Sequence, residues 1–259
     1  MTNYIYLLYG TGDDRFLEAS YCIGTLTRQL DAASSQIIVF TDQPEKIKDW
    51  PVICESVAGK LEAMRGKTSF QFRAKLCVIL RCLEKYPGNV IYLDSDTFVR
   101  GDIAALAGLL SLGTAIMDSF ESKNPLPELS GFHTTLAGNI TYQYTPDSRM
   151  YNAGVIGIHR EDCELVSRAL ELCDALLDFG CQGHTVEQFS ISEVLRISNT
   201  KILVSRSVVT HYVSHKIYMR NKISEMIRKT GRPPWRFERE VFYSHLGVHL
   251  LRKLGFYLK

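Results

Sequence analysis

Two aspartates that directly follow an apolar run are the residues of this chain best suited to chemistry. Asp94 and Asp96 come after the run 90–93, with Ser95 between them. Carboxylates two residues apart lie on one side of an extended strand, and where the strand ends both can reach a single cation. Hard oxygen ligands suit Mg²⁺ or Mn²⁺, which complete their coordination with phosphate oxygens and water. The pair therefore predicts a divalent metal that stabilises the charge on a departing diphosphate.

Two other interpretations of the pair stay open from these residues alone. In the first, Asp94 and Asp96 only end a strand and cap the following turn. In the second, the chain is a phosphohydrolase of the haloacid-dehalogenase type, in which the first Asp of such a pair is the nucleophile. Phe98 disfavours the second interpretation, because those enzymes usually have Thr or Val at that position. They also usually carry the pair near the N-terminus, whereas here it lies at 94–96.

Alternating strands and helices are predicted on both sides of the pair. Apolar runs predict strands at 3–9, 36–40, 52–57, 90–93, 114–117, 153–159, 202–205 and 208–211. Helical spacing of apolar residues predicts helices at 13–30, 72–83, 161–179 and 185–197, the first capped by Asp13 or Asp14. This order predicts an α/β sandwich with a mainly parallel mixed sheet, in which ligands bind at the carboxyl ends of the strands.

The polar stretch 119–150 is longer than an ordinary connection. Its composition shows neither a helical nor a strand period. It is therefore predicted to be a binding loop or to contain structure that the pattern does not reveal.

Composition is that of a soluble globular protein, with 46% apolar and 22% charged residues among 259. No apolar stretch approaches the ~20 residues that a membrane-spanning helix needs, and the start lacks a signal-peptide pattern. The seven cysteines include no Cys-x-x-Cys pair, which favours reduced thiols. We therefore expect a cytoplasmic protein.

Charge divides the chain into an acidic body, 1–214, and a basic extension, 215–259. The extension has 11 Lys and Arg against 3 Asp and Glu, whereas the body carries a net charge of −6. Apolar and basic residues interleave in the extension, as in helices that lie on anionic membranes. Packing of the same apolar face on the body or on a second subunit is the slightly favoured alternative. The acidic body argues against nucleic-acid binding.

Three segments resemble one enzyme family. The sequence LLYGTGDDRFLEASYCIGTL (7–26) is similar to the opening strand, nucleotide-contacting turn and first helix of retaining GT-A glycosyltransferases, which include glycogenin and bacterial lipopolysaccharide galactosyl- and glucosyltransferases. RAKLCVILRCLEKYPGNVIYLDSDTFVRGDI (73–103) resembles their helix with a donor-site lysine, followed by the strand with the DXD motif. YNAGVIGIH (151–159) resembles their Asn-(Ala or Ser)-Gly strand. With a weaker match further on, the resemblance spans residues 3–216.

The resemblance implies a set of residues that bind the donor. Tyr9, Gly10 and Thr11 would lie near the base and ribose, and Lys75 near the sugar or phosphate. Taken together, the implied donor-binding residues are Tyr9, Gly10, Thr11, Lys75, Asp94, Ser95, Asp96, Ala153, Gly154 and Lys216. Without the resemblance, Lys75 would be interpreted as an exposed helix lysine and Gly154 as a packing glycine.

Catalytic roles are implied for Asn152, Glu187 and Gln188. Asn152, with Ala153 and Gly154, would line the sugar and acceptor side, where Gly154 permits close backbone approach. Glu187 and Gln188 stand where the family often has an Asp-Gln pair, with the Gln near the anomeric carbon. By pattern alone these two would be interpreted as helix surface.

His211 is implied as the third metal ligand, beside Asp94 and Asp96. It follows an apolar strand, as the ligand histidine of the family does. Ser214 replaces the glycine that follows in the family, and Lys216 comes one position earlier than the usual phosphate-binding lysine.

The resemblance thus implies a GT-A fold and a Mn²⁺- or Mg²⁺-dependent glycosyltransferase. Such an enzyme would move a hexose from a UDP-sugar to a hydroxyl of a saccharide, glycolipid or protein, with retention of configuration. A non-catalytic nucleotide-sugar-binding protein stays open as an alternative. Peripheral membrane contact or a homodimer through the 215–259 extension would be compatible with either function.

Overall fold

A seven-stranded mixed sheet forms the centre of the computed structural model, which describes residues 1–237. The strands are β1 Thr2–Leu8, β2 Ser35–Thr41, β3 Ile53–Ser56, β4 Asn89–Leu93, β5 Thr97–Val99, β6 Thr114–Lys123, β7 His133–Leu136, β8 Ile140–Gln143, β9 Arg149–Ile158, β10 Lys201–Val204 and β11 Val209–His211. The helices are α1 Asp13–Thr27, α2 Leu61–Arg65, α3 Arg73–Lys85, α4 Ile103–Ala107, α5 Cys163–Asp178, α6 Val186–Ile197 and α7 Lys216–Thr230.

The main sheet has the strand order β10-β6-β9-β4-β1-β2-β3. Its neighbours pair in parallel, except that β9 runs antiparallel to both β4 and β6. The predicted α/β class with a mainly parallel mixed sheet is therefore confirmed. Because β1 and β4 are parallel neighbours, the turn after β1 and the aspartates after β4 lie at the same edge of the sheet.

Helices cover both faces of the sheet, because alternate strand residues point into two separate cores. Ile5 and Tyr92 belong to a core shared with α3, α5 and α6. Tyr6 and Ile91 belong to a second core, shared with α1 and α4. The inner strands are thus buried on both sides, which is why they appear in the sequence as nearly continuous apolar runs.

The polar stretch 119–150 contains structure. Strand β6 continues to Lys123, paired with β9 through register shifts at Met117/Ser119 and Phe120/Ser122. Strands β7 and β8 form a hairpin, and the Tyr142 hydroxyl at its end donates to the fully buried carboxylate of Glu193 in α6, at 3.0 Å. The polar segment is therefore held to the body by both backbone and side-chain bonds.

The predicted cap of the first helix is wrong. Helix α1 begins at Asp13, and its N-cap is Gly12, whose backbone is extended. Asp13 and Asp14 instead occupy the first turn, where their charge favours the helix dipole and pairs with Lys46 and Arg220. The helix also ends at Thr27, three residues before the predicted end.

Helix α7, which begins the basic extension, packs on α1. Met219, Ile223 and Met226 are buried in a cluster that includes Tyr21 of α1. Arg220 of α7 lies 2.8 Å from the buried carboxylate of Glu18. The apolar side of this helix thus faces the body, and the part of the predicted extension at 238–259 lies outside the described residues. Among residues 1–237, no helix combines the length and apolarity needed to cross a bilayer.

Candidate metal and donor site

Three predicted ligands meet where β4 ends. Asp94 and Asp96 follow β4, and His211 is the last residue of β11. Strand β11 pairs with β5, and in this pairing His211 lies opposite Thr97, the residue after Asp96. One ligand atom each from Asp94, Asp96 and His211 lies within 4.8 Å of the other two.

This donor set fits a divalent cation. Two bonds of ~2.1 Å to a small ion hold opposite ligand atoms ~4.2 Å apart, so small side-chain movements would close the site around Mg²⁺ or Mn²⁺. Two carboxylates with one imidazole suit Mn²⁺ at least as well as Mg²⁺. The predicted ligands are therefore brought together in a usable arrangement.

His211 is oriented by a carboxylate that the sequence did not single out. Its Nδ1 lies 3.2 Å from Asp118 Oδ2 and donates to Asn152 Oδ1 at 3.0 Å, whereas its Nε2 lies 3.4 Å from Asp96 Oδ1. Such a partner on Nδ1 leaves Nε2 to face a metal. Burial lowers the pKa of His211, but the bonds to Asp118 and Asp96 outweigh it and raise this pKa to about 10. A cation would therefore have to displace the Nε2 proton.

Lys216 does lie at the site, as an ion pair with a metal ligand. Its Nζ is 2.8 Å from Asp96 Oδ2. Burial would raise the pKa of Asp96, but His211 and Lys216 hold it well below its usual range. Asp96 is therefore ionised, and its negative charge is balanced by cationic side chains.

Lys75 is buried between two carboxylates, so its interpretation as an exposed helix lysine is wrong. Its Nζ lies 3.3 Å from Asp94 Oδ2 and 3.2 Å from Glu187 Oε1, and it donates to the Ala153 carbonyl at 3.0 Å. Burial opposes its charge, but the two carboxylates raise its pKa above the usual value. Lys75 therefore carries its positive charge inside the site.

Glu187 and Gln188 are also buried, so their interpretation as helix surface is wrong. Burial is the main cause that raises the pKa of Glu187. Among residues 1–237, the second oxygen of Glu187, Oε2, has no hydrogen-bond partner. The Gln188 side chain accepts from the Ala153 amide at 3.1 Å. Gln188 therefore contacts the strand that resembles the Asn-Ala-Gly element, and Glu187 is linked to that strand through Lys75.

Glu121 joins two of the residues with implied catalytic roles. Its Oε1 accepts from Asn152 Nδ2 and its Oε2 from Gln188 Nε2, each at 2.7 Å. Neither Glu121 nor Asp118 was predicted to have a role. The available signal was that Asp118 follows the apolar run 114–117 in the way that Asp94 follows 90–93.

Gly154 is required by the position of His211. A Cβ at residue 154 would lie 2.2 Å from His211 Nδ1. The amide of Gly154 donates to Asn152 Oδ1 at 2.9 Å, and its carbonyl accepts from the Asp94 amide at 2.9 Å. The close approach at Gly154 is thus made by the imidazole ring, whereas the prediction assigned it to the sugar and acceptor.

The turn predicted to contact the nucleotide lies at the same sheet edge. Gly10 has φ 85°, which favours glycine, and its amide donates to the Asp42 carboxylate at 3.1 Å. The guanidinium groups of Arg15 and Arg65 lie 4.9 and 5.3 Å from the centre of the Tyr9 ring. Thr11 is exposed, and Ser95 is half-buried between the two aspartates.

No protein-family model matches this chain, and no curated protein matches it either.

Proposed function

We propose that this chain is a GT-A glycosyltransferase that uses a divalent metal to transfer a hexose from a UDP-sugar to an acceptor hydroxyl, with retention of configuration. The observation that carries the proposal is the meeting of Asp94, Asp96 and His211 at the carboxyl edge of a mainly parallel sheet. Lys75 and Gln188, from two different helices, both bond to Ala153 of β9, the strand that pairs with β4.

Asp94, Asp96 and His211 would hold Mn²⁺ or Mg²⁺. A divalent ion held there would neutralise the charge that gathers on the departing diphosphate. Lys216, released from Asp96, would be free to pair with the same phosphates. The Lys216 side chain is 40% exposed, which supports this role because solvent leaves it room to turn from Asp96 towards a phosphate.

Lys75 and Glu187 would orient the donor sugar. Lys75 keeps its charge and is fixed by three oxygen atoms, so it presents a rigid positive group beside the metal ligands. Glu187 Oε2 is buried and has no hydrogen-bond partner among residues 1–237, so it is suited to accept a hydrogen bond from a sugar hydroxyl. This pair supports a polar ligand rather than an apolar one.

Gln188 and Asn152, held by Glu121, would position the acceptor and the anomeric centre. In the transfer, the bond from the anomeric carbon to UDP breaks as the bond to the acceptor oxygen forms, and the acceptor proton passes to the donor phosphate. Most of the rate enhancement would then come from positioning and from electrostatic stabilisation of the leaving group.

The test is UDP release from UDP-glucose, UDP-galactose and UDP-N-acetylglucosamine with Mn²⁺. We expect wild-type protein to turn over at least one donor and Asp96→Asn to lose roughly 100-fold or more of that activity, because a metal ligand is lost. Asp102→Asn is the matched control, since Asp102 is not one of the three ligands and, as the N-cap of α4, can be replaced by Asn, an equally good cap. Melting temperatures of both variants would show that the fold is kept.

Full activity in Asp96→Asn would refute the metal assignment. Hydrolysis of p-nitrophenyl phosphate without turnover of any UDP-sugar would favour the phosphohydrolase instead. Binding of UDP and Mn²⁺ without turnover would favour a non-catalytic nucleotide-sugar-binding protein.

A further inference from the structure

The two tryptophans of the chain line one cavity. Trp50 and Trp235 are the only tryptophans among the 259 residues, and they stand far apart in the sequence. Both line a cavity of about 520 Å³, together with Lys46, Asp49, Pro233 and Arg236. That volume falls in the range of roughly 300–1,000 Å³ that small-molecule sites occupy.

Two short 3₁₀ helices bring these residues together. The first, Pro44–Ile47, follows β2, and Asp49 and Trp50 come directly after it. The second, Pro234–Arg236, follows α7 and carries Trp235. Strand β2 lies two strands from β4, and both run in the direction of β1. Lys46 bonds to Thr11 and Asp13, which come after β1, so this side of the cavity lies near the carboxyl edge of the sheet.

Both indole rings contact the protein core on one side. Each is half-buried and packs against the core beneath β1 and β2. The Arg236 guanidinium lies over the Trp235 ring, 4.4 Å from its centre. The half-buried Trp50 indole, beside the Asp49 carboxylate and the Arg236 guanidinium, matches a pyranose ring, which has an apolar C–H face and hydroxyls at its rim.

The charges of the cavity wall are nearly balanced. Lys46 Nζ lies 2.6 Å from Asp13 Oδ1 and donates to the Thr11 carbonyl at 2.8 Å, so its charge is already paired. Asp49 and Arg236 have opposite charges. A wall without excess positive charge favours a neutral ligand over a phosphate-bearing one.

We propose that this cavity, the tryptophan cavity, binds a neutral hexopyranose oligosaccharide at a site distinct from the metal site. The Trp50 indole would stack on a sugar ring, and Asp49 and Arg236 would form hydrogen bonds with the hydroxyls of that ring. This site goes beyond the proposed transfer reaction and needs no turnover to operate.

Tryptophan fluorescence reports on this cavity alone, because both tryptophans line it. The probes are maltopentaose, cellopentaose and chitopentaose, added to the full chain without metal. We expect a saturable change in tryptophan emission with at least one probe, and an affinity by calorimetry that falls about tenfold in Asp49→Ala through the lost hydrogen bonds. Glu45→Ala is the matched control, because Glu45 lies on the 3₁₀ helix that precedes Asp49, is exposed and does not line the cavity.

Asp96→Asn keeps the oligosaccharide response if the tryptophan cavity is independent of the metal site. That outcome would stand even if no UDP-sugar were turned over, so the two proposals fail separately. The proposal is overturned if none of the three probes changes the emission in a saturable way, or if UDP produces the change instead. Equal affinities in Asp49→Ala and Glu45→Ala would also overturn it.

Discussion

Replacing Gly154 with alanine should detach His211 from the metal site. The added Cβ would lie 2.2 Å from His211 Nδ1, 2.4 Å from its Cε1 and 2.9 Å from its Cγ, whereas ordinary contact begins at 3.4 Å. The imidazole would therefore have to retreat by about 1.2 Å, the difference between 3.4 and 2.2 Å. It is 8% exposed and packed against Asp118, which leaves it little room to do so without losing that bond.

The substitution is expected to lower both the stability of the fold and the affinity for Mn²⁺. Overpacking of a buried site costs roughly 1–3 kcal/mol of folding free energy. Displacing a ligand histidine from its supporting carboxylate should weaken metal binding by about 10–100-fold, as removal of such partners does elsewhere. The first effect is on stability and the second is on Mn²⁺ affinity, so they can be measured separately.

Gly157→Ala provides the matched control on the same strand. A Cβ at residue 157 would lie 2.8 Å from the Ile116 Cβ, within the core and away from the ligands. Mn²⁺ affinity, followed by the electron paramagnetic resonance of the free ion, should fall in Gly154→Ala and stay at the wild-type value in Gly157→Ala. Urea unfolding should show destabilisation in both. Equal Mn²⁺ affinity in the two variants would refute the prediction that a side chain at residue 154 displaces His211 from the metal site.

Two further predictions concern the charges around the site. Lys216→Met should tighten Mn²⁺ binding in the absence of UDP by roughly 2–5-fold, because a half-exposed ammonium no longer competes with the metal for Asp96. The same substitution should weaken UDP binding. Weaker Mn²⁺ binding, measured by calorimetry, would contradict the prediction. In metal-free protein, the raised pKa of His211 implies a stabilising contribution that is complete below the usual value of 6.5 and is lost as pH rises through about 10. The difference in urea stability between wild type and His211→Gln should therefore narrow over that range, and a constant difference would count against the ion pairs of His211.

The sequence predicted the inner strands well because they are buried on both faces. The apolar runs at 3–9, 36–40 and 90–93 match β1, β2 and β4 to within a residue or two. The same logic predicted that Asp94 and Asp96 would lie at a sheet edge. Burial on both faces leaves a clear signal in composition, and a strand's end marks where polar side chains can be used for binding.

Asp118 and Glu121 were not predicted as part of the site, although the position of Asp118 after an apolar run was a usable signal. Strand β6 was predicted to end at Met117, but it continues for six residues through a polar segment. What holds that segment is backbone pairing with β9, whose first residues are distant in sequence. Backbone hydrogen bonds do not depend on side-chain type, and the register shifts at Met117/Ser119 and Phe120/Ser122 remove any period of two. Two carboxylates thus enter the site from the polar second part of β6, which has no apolar pattern.

Helix α6 completes the site because β9 extends beyond the end of its neighbour β4. Pairing between β4 and β9 ends at Leu93 and Val155, so the amides of β9 before that point need other partners. Side chains of α6 supply them: the amides of Arg149, Tyr151 and Ala153 donate to Glu193, Ser192 and Gln188, respectively. The burial of α6 from Val186 to Leu195 follows from this arrangement. Gln188 therefore holds the strand as well as facing the site, and a loss of activity on its removal would not by itself assign chemistry to its amide.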